Sequence, residues 1–158
     1  MIKIAILTVS DSCAREQRED VSGRTIESML TRNKFEVCEK KIVEDDLNAI
    51  ADQLKYFCDK VGVNVVLTTG GTGPGPRDVT PEATNDVSER IVPGLSEIIR
   101  AKGWEQTKNA VLSRGIAGIR NKTLIVNLPG SAKAAKESLE VILDVLPHAV
   151  EMILGGGH

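Results

Sequence analysis

One glycine-rich stretch, residues 67–84, carries most of the chemistry that this chain offers, and it reads LTTGGTGPGPRDVTPEAT. Directly after an apolar run typical of a buried strand come Gly70, Gly71, Thr72 and Gly73. Glycines let the backbone take positive φ, so that successive N–H groups can point inward around an anion, and Thr72 adds a hydroxyl donor. The pattern predicts a phosphate-binding loop, with a plain strand-to-helix turn as the alternative.

The loop differs from two familiar nucleotide-binding fingerprints, because it lacks the GK[ST] ending of a P-loop and has Pro76 where the dinucleotide motif needs its third glycine. Arg77 and Asp78 follow it. A carboxylate beside such a loop is what Mg²⁺ needs to bridge protein and nucleotide oxygens, so Asp78 is the first candidate metal ligand. Its alternative role is to cap the helix that starts at Thr80, and Arg77 could pair either with phosphate or with a neighbouring acid.

Other carboxylates follow other predicted strands. Asp11 comes at the end of the first strand, and Asp45 and Asp46 come after the second. In a doubly wound sheet these side chains could face the same edge as the glycine loop, an adjacency that the sequence alone does not establish. A helix cap is the alternative role for the Asp45–Asp46 pair, and Asp11 is open to the same alternative.

Two later segments carry groups suited to anions. Ser113 and Arg114, in VLSRG, supply a hydroxyl and a guanidinium, which could equally be loop contacts. A second strand-to-helix turn, VNLPGS, has a glycine and a helix N-terminus that could hold a phosphate, or it could be a structural turn. Its candidate residues are Asn127, Pro129, Gly130 and Ser131.

The elements that must position these groups alternate along the chain. Aliphatic and β-branched runs predict strands over residues 2–9, 35–43, 63–68 and 122–128. Apolar spacings of three and four, with capping residues, predict helices over residues 22–33, 47–60 and 95–102. A further helix is expected to start at Thr80 and Pro81. A terminal helix is expected from Ser131, with a break near Pro147. Ser22, Asp45 or Asp46, and Thr80 are the expected caps. This order predicts one α/β domain over residues 1–158, with a mostly parallel sheet and helices on both faces.

Composition excludes several other classes of function. Twenty Lys and Arg against 22 Asp and Glu, without a basic block and with few aromatics, give little reason to expect nucleic acid. The apolar N-terminal run is too short to span a bilayer. Cys13, Cys38 and Cys58 have no paired spacing, so we expect free thiols in a reducing, cytoplasmic compartment. His148 and His158 lack spaced partners and receive no role.

Four segments in order resemble the molybdopterin adenylyltransferases, the family that includes the G domain of gephyrin. They are the SD after the first strand, TTGGTGPGPRDVTPEAT, LSRGIAGIR and TLIVNLPGS, and the resemblance runs over about residues 4–154. It implies a three-layer α/β/α fold of the MogA/MoaB type, usually a homotrimer. It also implies transfer of AMP from Mg·ATP to the terminal phosphate of molybdopterin, with release of pyrophosphate, which prepares the pterin for a molybdenum-insertion domain or enzyme.

By the same resemblance, the family's two important aspartates fall on Asp45 and Asp78, as catalytic residues and Mg²⁺ ligands. The glycine loop and residues 127–131 would line the nucleotide and pterin pocket, and Ser113 would contact the pterin. Glu44 stands where the family often has a proline, which leaves Asp45 and Asp46 to be distinguished. Two other readings stay open: a non-catalytic molybdopterin-binding scaffold module, and a paralogue acting on another phosphorylated small molecule.

Overall fold

The structure is a computed structural model that describes residues 1–157, so His158 lies outside the described residues. Its central sheet has six strands in this part of the chain, in the order β2-β1-β3-β6-β5-β4. The strands are β1 (Lys3–Val9), β2 (Glu36–Val43), β3 (Val65–Thr69), β4 (Arg90–Ile91), β5 (Ala117–Arg120) and β6 (Thr123–Leu128). The first four in spatial order are parallel. β5 pairs antiparallel with β6, and β4 pairs antiparallel with β5.

Helices cover both faces of this sheet. They are α1 (Asp11–Ala14), α2 (Val21–Arg32), α3 (Leu47–Lys55), α4 (Thr80–Val87), α5 (Pro93–Gln106), α6 (Ala132–Ile142) and α7 (Leu146–Ile153). A π-helical turn, Tyr56–Val61, continues α3, and 3₁₀ turns at Lys108–Leu112 and Leu143–Val145 follow α5 and α6.

Alternation along β1 divides the core into two clusters, because successive strand side chains point to opposite faces. Ile4 and Ile6 join apolar side chains of α2, α5, α6 and α7. Ala5 and Leu7 join those of α3 and α4. The chain is therefore a three-layer α/β/α structure with a mostly parallel sheet, as the sequence predicted.

The starts of two helices differ from the prediction. Asp20 rather than Ser22 caps α2, accepting a hydrogen bond from the Gly23 N–H at 2.9 Å. Ser22 is buried, and its hydroxyl is 2.9 Å from the Thr69 hydroxyl. Val79 rather than Thr80 is the N-cap residue of α4, because the Thr80 hydroxyl donates instead to the Gly70 carbonyl at 2.9 Å.

Helix ends also differ. The helix expected over residues 47–60 is α-helical only to Lys55, and Gly62, at φ +70°, follows the π-helical turn. The terminal helix breaks at Leu143–Val145, and Pro147 lies in the first turn of α7, where its missing N–H costs nothing. α5 is longer than the expected residues 95–102.

In residues 1–157 no helix is long and apolar enough to cross a bilayer. Cys13, Cys38 and Cys58 are free thiols.

Candidate functional site

The predicted site residues lie at the carboxyl edge of the four parallel strands. Chain direction around the sheet changes between β1 and β3, and ligands of open α/β sheets bind at such a switch point. A cleft of about 490 Å³ opens there, which we call the carboxylate cleft. Among the residues that line it are Asp45, Asp78, Gly70, Gly71, Gly130 and Ser131.

Asp45 and Asp46 have different tasks in the structure. The Asp46 carboxylate accepts a hydrogen bond from the Ala49 N–H at 2.9 Å and caps α3. Asp45 lines the carboxylate cleft, and Asp46 does not. Position alone therefore selects Asp45 as the member of the pair that can meet a ligand.

Asp45 is held by its neighbour Asp11 through two reciprocal hydrogen bonds. The Asp11 N–H donates to Asp45 Oδ2 at 3.0 Å, and the Asp45 N–H donates to Asp11 Oδ1 at 3.0 Å. Partial burial raises the pKa of Asp45, and the nearby charges of Asp11 and Asp78 act in the same direction. The site thus keeps a carboxylate whose charge is not fully compensated, which favours a bound cation.

Asp11 itself is neutralised by Arg77. The guanidinium donates from Nε to Asp11 Oδ2 at 2.8 Å and from Nη2 to Oδ1 at 3.0 Å. This two-bond pair lowers the pKa of Asp11 to about 2, with the Asp45 N–H adding to the effect. Of the two partners that the sequence allowed for Arg77, the structure shows the neighbouring acid.

Asp78 is placed by the glycines that precede it. Its Oδ2 accepts a hydrogen bond from the Gly75 N–H at 3.0 Å. A Cβ atom added at Gly73 or Gly75 would lie 2.9 Å or 2.8 Å from that oxygen. Glycine at these positions therefore leaves room for the carboxylate, and Asp78 does not cap α4.

The glycine loop begins with two residues in the left-handed region, Gly70 at φ +100° and Gly71 at φ +69°. A Cβ at Gly70 would be 2.2 Å from the Val9 carbonyl oxygen. Thr80 closes the turn, donating its N–H to the Gly71 carbonyl at 3.1 Å besides its hydroxyl bond to Gly70. The turn needs glycine for conformation and for space.

A second cleft, of about 610 Å³, lies on the other side of the glycine loop, and we call it the helical cleft. α5 and α6 contribute to its walls, and its lining includes Thr72, Gly73, Ser113, Pro129 and Gly130. Gly130 lines both clefts. The structure thus divides the predicted binding residues between two adjacent cavities that meet at one glycine.

Asn127 is the exception among the predicted binding residues, because it is buried and lines neither cleft. Its side-chain amide donates to the hydroxyls of Thr68 at 3.0 Å and Thr84 at 2.9 Å. Its carbonyl oxygen accepts from the Ile116 N–H at 3.1 Å. Asn127 therefore ties β6 to β3, α4 and the chain entering β5, beneath the site.

Arg114 is a loop contact rather than an open anion site. Its guanidinium donates to the Gly73 carbonyl at 2.8 Å, to the Asp78 carbonyl at 2.6 Å and to the Glu82 carboxylate at 2.7 Å. These bonds join the glycine loop to the segment that carries Asp78.

Asp20 also lines the carboxylate cleft, and the sequence reasoning did not single it out. The spacing of Asp20 to Gly23 in DVSG is a helix-capping signal that could have drawn attention to it.

The donor set fits a magnesium ion that is shared with a nucleotide. Among residues 1–157, no group of three or more His, Cys, Asp or Glu side chains is arranged to hold a metal by itself. Mg²⁺ is commonly held by one or two carboxylates together with substrate phosphates and water. Asp45 and Asp78, lining one cleft beside an anion-suited loop, match that chemistry.

Comparison with known proteins identifies the family. A family model described as a probable molybdopterin binding domain matches residues 5–148. The chain belongs to this molybdopterin-binding family. The molybdopterin adenylyltransferase of Helicobacter pylori strain J99 is 41% identical over 156 residues, which are 98% of this chain and 89% of the relative. The gephyrin of Dictyostelium discoideum is 37% identical over 160 residues, 95% of this chain but 22% of gephyrin.

Solved structures in the molybdopterin-binding family share the fold. The crystal structure of the molybdopterin biosynthesis enzyme MoaB from Thermus thermophilus is 47% identical and superimposes with a TM-score of 0.93, covering 98% of each chain. Both the family and the three-layer fold that the sequence motifs implied are thereby confirmed.

Proposed function

We propose that this chain is an enzyme of molybdenum cofactor biosynthesis that transfers AMP from Mg·ATP to the terminal phosphate of molybdopterin. The observation that carries the proposal is the arrangement of the two clefts: one contains Asp45 and Asp78, the other contains Ser113, and both reach Gly130. An adenylyl transfer needs two anionic substrates side by side, and adjoining cavities allow this. The names of relatives such as the Helicobacter pylori enzyme support the same reaction.

In this proposal the ATP phosphates occupy the carboxylate cleft and the pterin occupies the helical cleft. An oxygen of the molybdopterin phosphate attacks the α-phosphorus, the bond from that phosphorus to the bridging β-phosphate oxygen breaks, and pyrophosphate leaves. Gly71 would offer its N–H group to phosphate oxygens, with Thr72 and Gly73 completing the loop. The Gly70 N–H instead donates to the Leu128 carbonyl at 3.2 Å and holds the turn against β6.

The remaining predicted residues support these groups. Ser131 caps α6, accepting from the Ala134 N–H at 3.1 Å, so the N-terminus of a helix faces the carboxylate cleft beside Gly130. Ser113 and Pro129 would contact the pterin from the wall of the helical cleft. Asn127 acts from below, by fixing the strand ends. Positioning and charge neutralisation suffice for this chemistry, which needs no covalent intermediate on the protein.

Asp45 and Asp78 are the residues that would hold Mg²⁺. When bound, this ion neutralises charge that develops on the phosphate oxygens during transfer. The position of Asp45 supports the assignment, because the residue lines the carboxylate cleft and its Oδ1 lies beside the glycine turn. Asp78 contributes a second carboxylate to the same cleft.

The proposal extends to assembly and context. We treat residues 1–158 as one adenylyltransferase domain that forms a homotrimer, works in the cytoplasm and passes its product to a molybdenum-insertion domain or enzyme. Exposed apolar side chains on α5 and the 3₁₀ turn after it, Ile98, Trp104, Val111 and Leu112, support self-association. Light scattering after size-exclusion chromatography tests the trimer directly.

The decisive experiment incubates purified protein with ATP, Mg²⁺ and molybdopterin and measures pyrophosphate together with adenylylated pterin. We expect the wild type to form both and Asp78→Ala to lose turnover by about 100-fold or more, while pterin binding is retained. Asp86→Ala is the matched control, since Asp86 is an exposed carboxylate of α4 outside both clefts.

Other results would point elsewhere. Unchanged turnover in Asp78→Ala refutes the assignment of that residue. Pterin binding by the wild type without adenylylation would support a scaffold module, and turnover with a different phosphorylated small molecule would support a paralogue.

A further inference from the structure

Asp11 and Arg77 line neither cleft, yet both connect to residues that do. Asp11 bonds to Asp45 just beyond the ends of β1 and β2, and Arg77 bonds to Asp11 from the segment that leads into Asp78. Parallel pairing of these strands ends at Val9 and Val43, followed by a bond from the Ser10 N–H to the Val43 carbonyl at 2.9 Å. Asp11 and Asp45 each lie two residues beyond the last pair. Their reciprocal hydrogen bonds, each from a backbone N–H to the other residue's carboxylate, link the two chain segments where the strand pairing ends.

These bonds distinguish the two oxygens of the Asp45 carboxylate. Oδ2 accepts the Asp11 N–H at 3.0 Å. Oδ1 lies beside the glycine turn, 3.3 Å from where a Cβ of Gly71 would be. One oxygen is thus engaged by the protein, and the other is directed toward the loop that we expect to hold phosphate.

The Asp11 carboxylate occupies a place where a further negative charge would disturb the site. Asp45 and Asp78 already bring two carboxylates to one cleft, and a third uncompensated carboxylate beside them would add to the local repulsion. Arg77 resolves this conflict with its two bonds to Asp11, at 2.8 Å and 3.0 Å. Because Arg77 precedes Asp78 in the chain, the pair also joins the segment of Asp78 to the end of β1.

We propose that Asp11 is a positioning residue that orients the Asp45 carboxylate toward the metal–nucleotide complex, with Arg77 holding Asp11 in place. The inference rests on the proposed function only in assigning Asp45 to the metal. Groups that orient a metal ligand commonly matter about 10- to 100-fold for metal affinity. Asp11 is not a catalytic residue in this scheme, because it acts through Asp45.

The test measures binding of Mn²⁺, as a paramagnetic substitute for Mg²⁺, by electron paramagnetic resonance in the presence of a non-hydrolysable ATP analogue. Asp11→Ala should weaken Mn²⁺ binding by about 10-fold or more. Arg77→Met should weaken it in the same direction, and since Arg77 is largely exposed this variant also serves if Asp11→Ala fails to fold.

A matched control exists in the same chain. Asp59 and Arg120 form another two-bond pair, with distances of 3.1 Å and 2.8 Å, and neither residue lines the carboxylate cleft. Asp59→Asn should leave Mn²⁺ binding unchanged. If this variant weakens binding as much as Asp11→Ala does, the effect is one of general stability and the proposal is wrong.

A double substitution gives the sharpest test, because substitutions at two residues that act through one another have effects that do not add. In an Asp45→Ala background, adding Asp11→Ala should cause no further loss of Mn²⁺ affinity. An additive loss, or an affinity within about twofold of wild type in both single variants, overturns the role of Asp11. These readings do not need turnover, so a wild type that binds Mn²⁺ and nucleotide but makes no adenylylated pterin would contradict the proposed function alone.

Discussion

At the scale of single residues, two adjacent aspartates separate stability from function. Asp46 caps α3 and should contribute about 1 kcal/mol to the free energy of unfolding. Asp45 lines the carboxylate cleft with a raised pKa. Because its pKa is higher in the folded than in the unfolded protein, its ionised form at neutral pH works against folding.

We therefore predict opposite results for Asp46→Ala and Asp45→Asn. Asp46→Ala should lose about 1 kcal/mol of stability and keep its turnover. Asp45→Asn should keep or gain stability at pH 7 and lose turnover, since the amide preserves the shape of the side chain but lacks the charge. Urea unfolding and pyrophosphate release, measured on the same preparations, provide the test. Loss of turnover in Asp46→Ala with retention in Asp45→Asn would reverse our assignment.

Sequence chemistry singled out candidate residue types but left their roles open. Arg77 could have met phosphate or an acid, and the pairing with Asp11 depends on residues 66 positions apart in the chain. Asn127 has the side chain of a binding residue, yet it bonds inside the core because three hydroxyl and amide groups surround it there. These outcomes depend on tertiary neighbours that local spacing does not specify.

At the scale of elements, the long buried strands were predictable and the short ones were not. β1, β3 and β6 are aliphatic runs covered on both faces, which is a strong sequence signal. β4 has two exposed residues. β5 contains Gly118, where a Cβ would be 2.2 Å from the Ser88 hydroxyl. Such strands exist through their antiparallel partners and close packing rather than through their own propensity.

Asp59, in the π-helical turn after α3, pairs with Arg120 of β5 through two hydrogen bonds. The Asn121 side-chain amide donates a further hydrogen bond to the same carboxylate at 2.6 Å. The hydrogen bond from Arg120 lowers the pKa of Asp59 below its ordinary value of 3.8. A lowered folded-state pKa means that the stabilisation is present above the ordinary value and is lost as the pH falls through the folded-state value.

Asp59→Asn should accordingly cost about 1 kcal/mol of unfolding free energy at pH 7, and the difference from wild type should shrink as the pH falls below 3.8. Urea denaturation at a series of pH values measures this difference. If the difference in unfolding free energy between wild type and Asp59→Asn stays constant down to acid pH, Asp59 stabilises the fold by packing and not by charge. Turnover at pH 7 should be unaffected, since the pair lies outside both clefts.

At the scale of the whole molecule, the site is a product of topology. The sequence identified the glycine loop, the VNLPGS turn and the two aspartates, and a doubly wound sheet requires that they meet at one edge. The division into two clefts was not predictable, because it depends on how α5 and α6 pack beyond that edge. Gly130 lines both clefts and packs against Gly70. In the proposed reaction, the spacing of these two turns sets how closely the two substrates approach.

Gly130→Ala tests whether the clefts work as one site. Its Cβ would lie 3.3 Å from Gly70 Cα, and Gly70 has little room to withdraw, since its own Cβ position is 2.2 Å from the Val9 carbonyl. The two turns must then separate by a few tenths of an ångström. In-line transfer is sensitive to such shifts, so kcat should fall by about 10-fold while the KM values for ATP and molybdopterin change by less than about threefold.

Steady-state kinetics with each substrate varied in turn measures these constants, and Gly94→Ala is the matched control because a Cβ there meets no atom within 4 Å. A rise in one KM alone would mean that Gly130 serves only one cavity. An unchanged kcat in Gly130→Ala would mean that the reacting groups meet elsewhere. A loss confined to kcat requires both substrates to bind and fail to align, and this is expected only if the α-phosphorus and the attacking oxygen approach each other across the junction of the clefts.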